Sequence, residues 1–241
     1  MPRPDHIELP TGETIPILYE DRGVLALDKP AGWMLVPFSW QKTGRNLQVA
    51  LTSSIAARDF WARSRNLKFL RFVHRLDAGT TGILLCAKSP GAVEAFGELF
   101  ESRRMEKGYL AVVHGKPKAE QWTCRLKLAP DPRRRGRMKV DAHHGKPAET
   151  AFRVLQAAGK FSLIEARPFT GRTHQIRIHL AQSGCAVAGD PLYGPPAAEA
   201  DEELGLRAVH LAYTDPFTRR AVRIRAPAAE FCRRYGFAEP V

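Results

Sequence analysis

The spacing of hydrophobic residues changes period several times along the chain, and each change marks an element. Ile17-Leu18-Tyr19 and Val24-Leu25-Ala26-Leu27 are short apolar runs either side of a polar turn at 21–23, the pattern of two short strands. Lys29-Pro30-Ala31-Gly32 ends the second run, because Pro30 has no ladder donor and Gly32 permits a sharp turn. Leu47, Ala50, Leu51, Ser54 and Ile55 then recur at helical spacing and predict a helix over about 46–60. Ile83-Leu84-Leu85-Cys86-Ala87 is continuously apolar, as in a strand buried on both faces. Ser89-Pro90 is a cap and first-turn pair, and Val93, Phe96, Leu99 and Phe100 after it form one apolar stripe, which is core packing.

Further strands are predicted at 109–114, 161–166, 208–213 and 222–225, with Asp215-Pro216 turning the chain between the last two. Ile176, His179, Leu180 and Ser183 give a short helix between 173 and 183 that Gly184 can terminate. Strands come in runs joined by turns, and helices are interspersed irregularly. The expected class is therefore α+β, with a mixed, largely antiparallel central sheet and flanking helices, rather than a βαβ repeat.

Composition narrows the possible partners. The chain has 241 residues, 44% of them hydrophobic and 26% charged, which is ordinary for a globular protein; its formal net charge of +12 is not. That excess favours a polyanionic partner, nucleic acid first and an anionic membrane surface second. No apolar run approaches the ~20 residues needed to cross a bilayer, and the opening Met1-Pro2-Arg3-Pro4-Asp5-His6 lacks the apolar core of a signal peptide. Cys86, Cys124, Cys185 and Cys232 lie far apart with no Cys-x-x-Cys pair, which suits a reduced cytoplasm and gives no zinc pattern.

Candidate chemistry concentrates in two segments. In His74-Arg75-Leu76-Asp77-Ala78-Gly79-Thr80-Thr81-Gly82, the carboxylate of Asp77 stands before a buried strand with a cation two residues away. On these residues alone Asp77 reads either as a turn residue bonding its own backbone or as a nucleophile or general base. In Phe169-Thr170-Gly171-Arg172-Thr173-His174-Gln175-Ile176-Arg177, Arg172 stands near a predicted helix start, where it could hold a carboxylate or phosphate or serve as a surface arginine. His174 and His179 are five apart, and His143-His144 are adjacent, so neither pair is spaced for a metal and none is expected. Arg125, Lys127, Arg133, Arg134, Arg135, Arg137 and Lys139 form a basic segment opposed only by Asp131, either a solvated loop or a phosphate contact. Arg58, Arg63, Arg65, Lys68 and Arg71 form a second basic band.

The first segment resembles the catalytic motif of pseudouridine synthases of the RluA-like branch, with Thr81 where serine is usual. Thr170-Gly171-Arg172-Thr173-His174-Gln175-Ile176-Arg177 resembles a second motif of that family, and Glu106-Lys107-Gly108-Tyr109 resembles a third. Lys29-Pro30-Ala31-Gly32, Gly145-Lys146-Pro147-Ala148-Glu149-Thr150 and Gly189-Asp190-Pro191-Leu192-Tyr193-Gly194 also match, so the resemblance covers roughly 15–228. It implies an RNA-modifying isomerase needing no cofactor, with Asp77 as catalytic carboxylate, Arg172 as its charge partner and Tyr109 packed against the target base. His74, Arg75, Thr80, Thr173, His174 and Gln175 are expected toward the substrate, with Arg133, Arg134 and Arg135 on RNA. It further implies action on ribosomal or transfer RNA; the cytoplasm is expected from the cysteine pattern and the missing signal peptide, and a monomer is the default expectation. Residues 17–241 would form the catalytic domain, after an N-terminal extension at 1–16 and without a separate S4-like module.

Two rival readings follow the same residues. A non-catalytic RNA-binding protein of the same fold would keep the basic surface, but the intact Asp77, Tyr109 and Arg172 speak against it. A hydrolytic glycosidase would normally need a second carboxylate, which neither segment supplies.

Overall fold

In the computed structural model, which describes residues 3–9, 11–35, 45–195 and 203–240, the chain divides into two units. The first contains Met1–Met105 and Leu211–Ala226; the second contains Glu106–His210 and Pro227–Val241.

The first unit is built on antiparallel neighbours in the order β1 (His6–Glu8), β2 (Thr14–Glu20), β3 (Val24–Lys29) and β5 (Thr81–Ala87), with β4 (Arg71–Phe72) also pairing with β5. Asp21 makes the predicted turn: its Oδ1 accepts from the amides of Gly23 (2.7 Å) and Val24 (2.8 Å). β3 and β5 pair with Leu27 opposite Leu84 and are apolar almost throughout, as strands covered on both faces must be.

Strand β1 falls inside the segment that the sequence set apart as an extension. Ile7 and Ile15 pair across β1 and β2 with no exposed surface, so this segment contributes to the core. A three-residue strand carries too little periodicity to be read from the sequence.

The helix expected over 46–60 is two helices, α1 (Leu47–Ala56) and α2 (Phe60–Arg63). Asn46 caps the first by accepting from Val49 N. The break follows from Arg58, whose φ of 59° is left-handed and stops the helix without a glycine. Ser54 Oγ, buried, joins the break to the core by bonding Asp59 and accepting from Trp61 Nε1 at 2.7 Å. α3 (Pro90–Glu101) starts as expected, with Ser89 Oγ accepting from Ala92 N, and buries Ala92, Phe96 and Leu99.

The second unit orders its strands β6 (Glu106–His114), β10 (Phe161–Pro168), β9 (Lys146–Ala158), β7 (Gln121–Pro130) and β8 (Met138–Val140), with antiparallel pairing from β6 to β8. Strands β7, β8 and β9 occupy the segments read from the sequence as basic loop and motif. The period is nonetheless clear in β7, where Trp122, Cys124, Leu126 and Leu128 alternate with Thr123, Arg125 and Lys127. Gly145 fits the β8–β9 turn because a side chain there would stand 2.4 Å from Asp141 O and 2.6 Å from the Lys127 carbonyl carbon.

Strand β6 is apolar on both faces. Tyr109, Ala111 and Val113 pack with Ile176 and Leu180 of α4 (Gln175–Gln182), whereas Leu110 and Val112 pack with Cys232 of α5 (Ala229–Arg234). Period-2 alternation therefore fixes the side of the sheet on which Tyr109 stands. β11 (Leu206–Thr214) contains the boundary between the units, and β12 (Ala221–Arg225) pairs with it. The α+β class with a largely antiparallel sheet is thus the class adopted. No helix among the described residues is long and apolar enough to cross a membrane.

Candidate active site

The predicted site residues fall in both units: His74, Arg75, Asp77 and Thr80 in the first, Tyr109, Arg133, Arg134, Arg135, Arg172, Thr173, His174 and Gln175 in the second.

In the first unit, Asp77 lies in the connection from β4 to β5, half-buried. Three sets of bonds hold that connection. Thr80 N donates to Asp77 O at 3.1 Å, closing the turn that Asp-Ala-Gly-Thr favours. Gly32 N donates to Ala78 O at 2.9 Å. Lys29 Nζ donates to Pro30 O (2.9 Å), Ala78 O (2.8 Å) and Thr80 O (2.9 Å). Gly82, the second residue of β5, then takes a φ of 101°, a conformation that residues with side chains rarely adopt.

Lys29 is 0% exposed, and three carbonyls match the three donors of an ammonium. Burial lowers its pKa to about 8, while the negative charge of Asp77 acts in the opposite direction. At neutral pH the ammonium persists. Lys29-Pro30-Ala31-Gly32 is therefore the clamp beneath the Asp77 loop. From sequence it was only a motif match, because an isolated lysine reads as solvent-exposed.

His74 braces the same loop. Its Nε2 accepts from Leu85 N at 2.9 Å, and its ring stacks on Phe100 at 4.7 Å. Thr80 is buried, whereas Arg75 is exposed.

In the second unit the Arg172 turn is organised by Gln175, which is 4% exposed. Its Oε1 accepts from Thr170 Oγ1 (2.7 Å) and from Arg172 N (3.0 Å); its Nε2 donates to Glu149 O and Thr150 Oγ1, each at 2.9 Å. All the amide's bonding directions are thus directed at the protein itself. This side chain, expected toward the substrate, ties the Arg172 turn to β9 instead. Gln175→Leu should lower the unfolding free energy by roughly 2–4 kcal/mol, because it strands buried polar partners. A urea midpoint identical to that of the wild type would show the network to be energetically idle.

Arg172 is half-buried, and its Nε donates to Pro147 O at 3.1 Å. Lys107 Nζ, two residues before Tyr109 on β6, donates to Thr170 O at 3.1 Å and binds the strand to the same turn. The match at 145–150 is thereby explained, since Pro147, Glu149 and Thr150 all receive bonds from the Arg172 turn.

Helix α4 begins one residue after His174, whose φ of 55° is left-handed. His179 on that helix is fully buried, with neither ring nitrogen bonded among the described residues, and burial lowers its pKa to about 4, so it is neutral at pH 7. Arg177 forms a buried bidentate pair with Asp190, at 2.8 and 2.7 Å. Burial alone would raise the Asp190 pKa, but the hydrogen bond and charge of Arg177 outweigh it and leave the carboxyl below its ordinary value.

The basic segment is a hairpin rather than a free loop. Arg125 and Lys127 lie on β7, Lys139 lies on β8, and Arg133, Arg134 and Arg135 are exposed at the connection. Asp131 shapes that connection by accepting from Arg133 N at 2.9 Å.

Residues 23–182 match the family described as RNA pseudouridylate synthase. Over 232 residues the chain is 34% identical to the ribosomal large subunit pseudouridine synthase C of Escherichia coli, covering 90% of this chain and 68% of that one. It is 33% identical over 242 residues to an uncharacterized RNA pseudouridine synthase of Chlorobaculum parvum, covering 99% of this chain and 71% of the relative. Among solved structures, human RNA pseudouridylate synthase domain containing 1 superposes with a TM-score of 0.70 at 26% identity, over 88% of this chain and 83% of that one. A family match over most of the chain, together with relatives of this identity and coverage, places the protein in the RluA-like branch of the RNA pseudouridine synthases, which are isomerases.

Proposed function

We propose that this enzyme converts specific uridines of large-subunit ribosomal RNA into pseudouridine, with Asp77 as its catalytic carboxylate. The observation that carries this reading is the clamped loop: a half-buried carboxylate on a backbone pinned by a fully buried ammonium. The E. coli relative, named for the large ribosomal subunit, supports the choice of RNA. Action on ribosomal RNA would place the enzyme in the cytoplasm.

The reaction breaks the bond from C1′ to N1 of uracil, turns the base, and forms the bond from C1′ to C5. The proton on C5 is lost and N1 gains one, so the product is an isomer and no electrons are exchanged. The uridine must first leave its stack, at a cost of a few kcal/mol. Asp77 would initiate cleavage, Arg172 would hold that carboxylate charged and oriented, and Tyr109 would pack against the freed base. Arg75 would fill the vacated stack or hold a phosphate. Arg133, Arg134 and Arg135 would contact backbone phosphates, a term that weakens with salt.

Purified protein incubated with a large-subunit ribosomal RNA transcript should form pseudouridine, read by carbodiimide-primed reverse-transcription stops. Free uracil in place of pseudouridine would favour a glycosidase, and binding without conversion a non-catalytic protein. Conversion of transfer RNA alone would overturn the choice of RNA.

A further inference from the structure

Tyr193 lies outside every role assigned above, yet its backbone, ring and hydroxyl are each held by polar or cationic partners. Its backbone is fixed first, since Asp190 Oδ1 accepts from Leu192 N (2.9 Å) and Tyr193 N (3.1 Å) while its carboxylate is held by Arg177. Its ring receives two guanidinium groups, with the Cζ atoms of Arg137 and Arg177 each 5.3 Å from the centroid. Its hydroxyl meets β8 at both backbone groups of Met138, N at 2.8 Å and O at 3.2 Å. The same hydroxyl lies 2.9 Å from His174 Nδ1.

A phenol has one proton to donate and two lone pairs. All three bonds form together when Met138 N and His174 Nδ1–H both donate to the hydroxyl and the hydroxyl donates to Met138 O. That assignment puts the imidazole proton on Nδ1. One atom thereby joins the end of the basic hairpin, at Arg137 and Met138, to the left-handed residue that follows Arg172-Thr173 and precedes α4.

We infer that Tyr193 is a positioning residue that registers the RNA-holding hairpin β7–β8 against the Arg172 turn. The inference rests on the proposed roles of Arg172 and the hairpin, and it assigns Tyr193 no contact with RNA or with reacting atoms. Phosphate captured at Arg133, Arg134 and Arg135 then lies at a fixed offset from the catalytic arginine, because hydroxyl, ring and backbone are all constrained. His174, expected from its motif toward the substrate, acts here as the donor at the far end of that link.

Tyr193→Phe keeps the ring and both guanidinium contacts and removes only the hydroxyl; His174→Ala cuts the same bond from its other end. Each should reduce kcat on the ribosomal transcript by between about 10- and 100-fold, the scale expected when a catalytic group is slightly displaced. KM, RNA affinity and the slope of affinity against salt should stay within about twofold. In the double variant the loss should match the larger single loss rather than the product of the two.

Multiplicative losses, an unchanged kcat, or a loss borne by KM would overturn the inference. Should Tyr193→Phe fail to fold, the His174→Ala kinetics still decide, since the same split is required of it. Failure of the functional reading is distinguishable, because the wild type itself would then make no pseudouridine.

Discussion

Asp77→Asn is expected to abolish pseudouridine formation, with kcat lower by at least about 10³-fold, as when other enzymes lose the group that begins the reaction. The substitution is nearly isosteric, and the backbone bonds described for the loop do not use the carboxylate it replaces. Thr80 N bonds the Asp77 backbone oxygen, and Ala78 O is held by Gly32 N and Lys29 Nζ. Asparagine is also at home in such a turn. The variant should therefore fold, bind the transcript as tightly as the wild type or slightly more so, and fail to convert it. Near-normal conversion would remove Asp77 from the chemistry and leave the turn reading of this residue in its place.

Of the two readings of Asp77 that the sequence left open, the turn is visible, and the half-buried setting of the side chain is what the catalytic proposal builds on. It closes a turn through its backbone, as an Asp before Ala-Gly-Thr should, and its side chain remains half-buried beside a buried cation. Motif resemblance singled it out, while apolar patterning with cap and turn signals located β3, β5, α3 and α4. Periodicity worked best where one signal acted at a time, as in the Ser89-Pro90 cap or the Gly184 stop, where φ is 81°.

The features hidden in the sequence share one cause: a tertiary partner overrides a local signal. Lys29 reads as an exposed lysine until Ala78 and Thr80 present their carbonyls from about fifty residues away. Gln175 reads as a polar residue near a helix start until Glu149 and Thr150 meet it from β9. The charges of Arg125 and Lys127 mask the alternation that makes β7 a strand. The helix break at Arg58 carries no glycine or proline to announce it.

Lys29→Met should separate activity from stability. The loop would lose its clamp and Asp77 its neighbouring ammonium, so kcat should fall by about 10²-fold or more. Global stability at pH 7 should change by less, because two effects oppose each other. Three carbonyls lose the ammonium as donor, at about 1–3 kcal/mol for each left unpaired, although Ala78 O keeps Gly32 N. Against this, the cost of burying a charge disappears; a pKa lowered from 10.5 to about 8 sets that cost at about 3 kcal/mol.

The wild type carries the same signature in its pH dependence. Between about pH 8 and 10.5 the unfolded chain holds the lysine proton and the folded chain does not. The contribution of Lys29 to stability therefore rises with pH across that window. Deprotonation nevertheless leaves two donors for three carbonyls and removes a positive charge beside Asp77, so activity should decline as pH rises through about 8. The decline should reverse on return to pH 7 and precede any loss of circular dichroism. In Asp77→Asn, which lacks the opposing negative charge, the Lys29 ammonium should lose its proton at still lower pH, measurable by NMR of the labelled lysine. A wild-type rate that stays level to pH 9.5, or Lys29→Met with undiminished kcat, would show that the buried ammonium supports the fold without supporting the carboxylate.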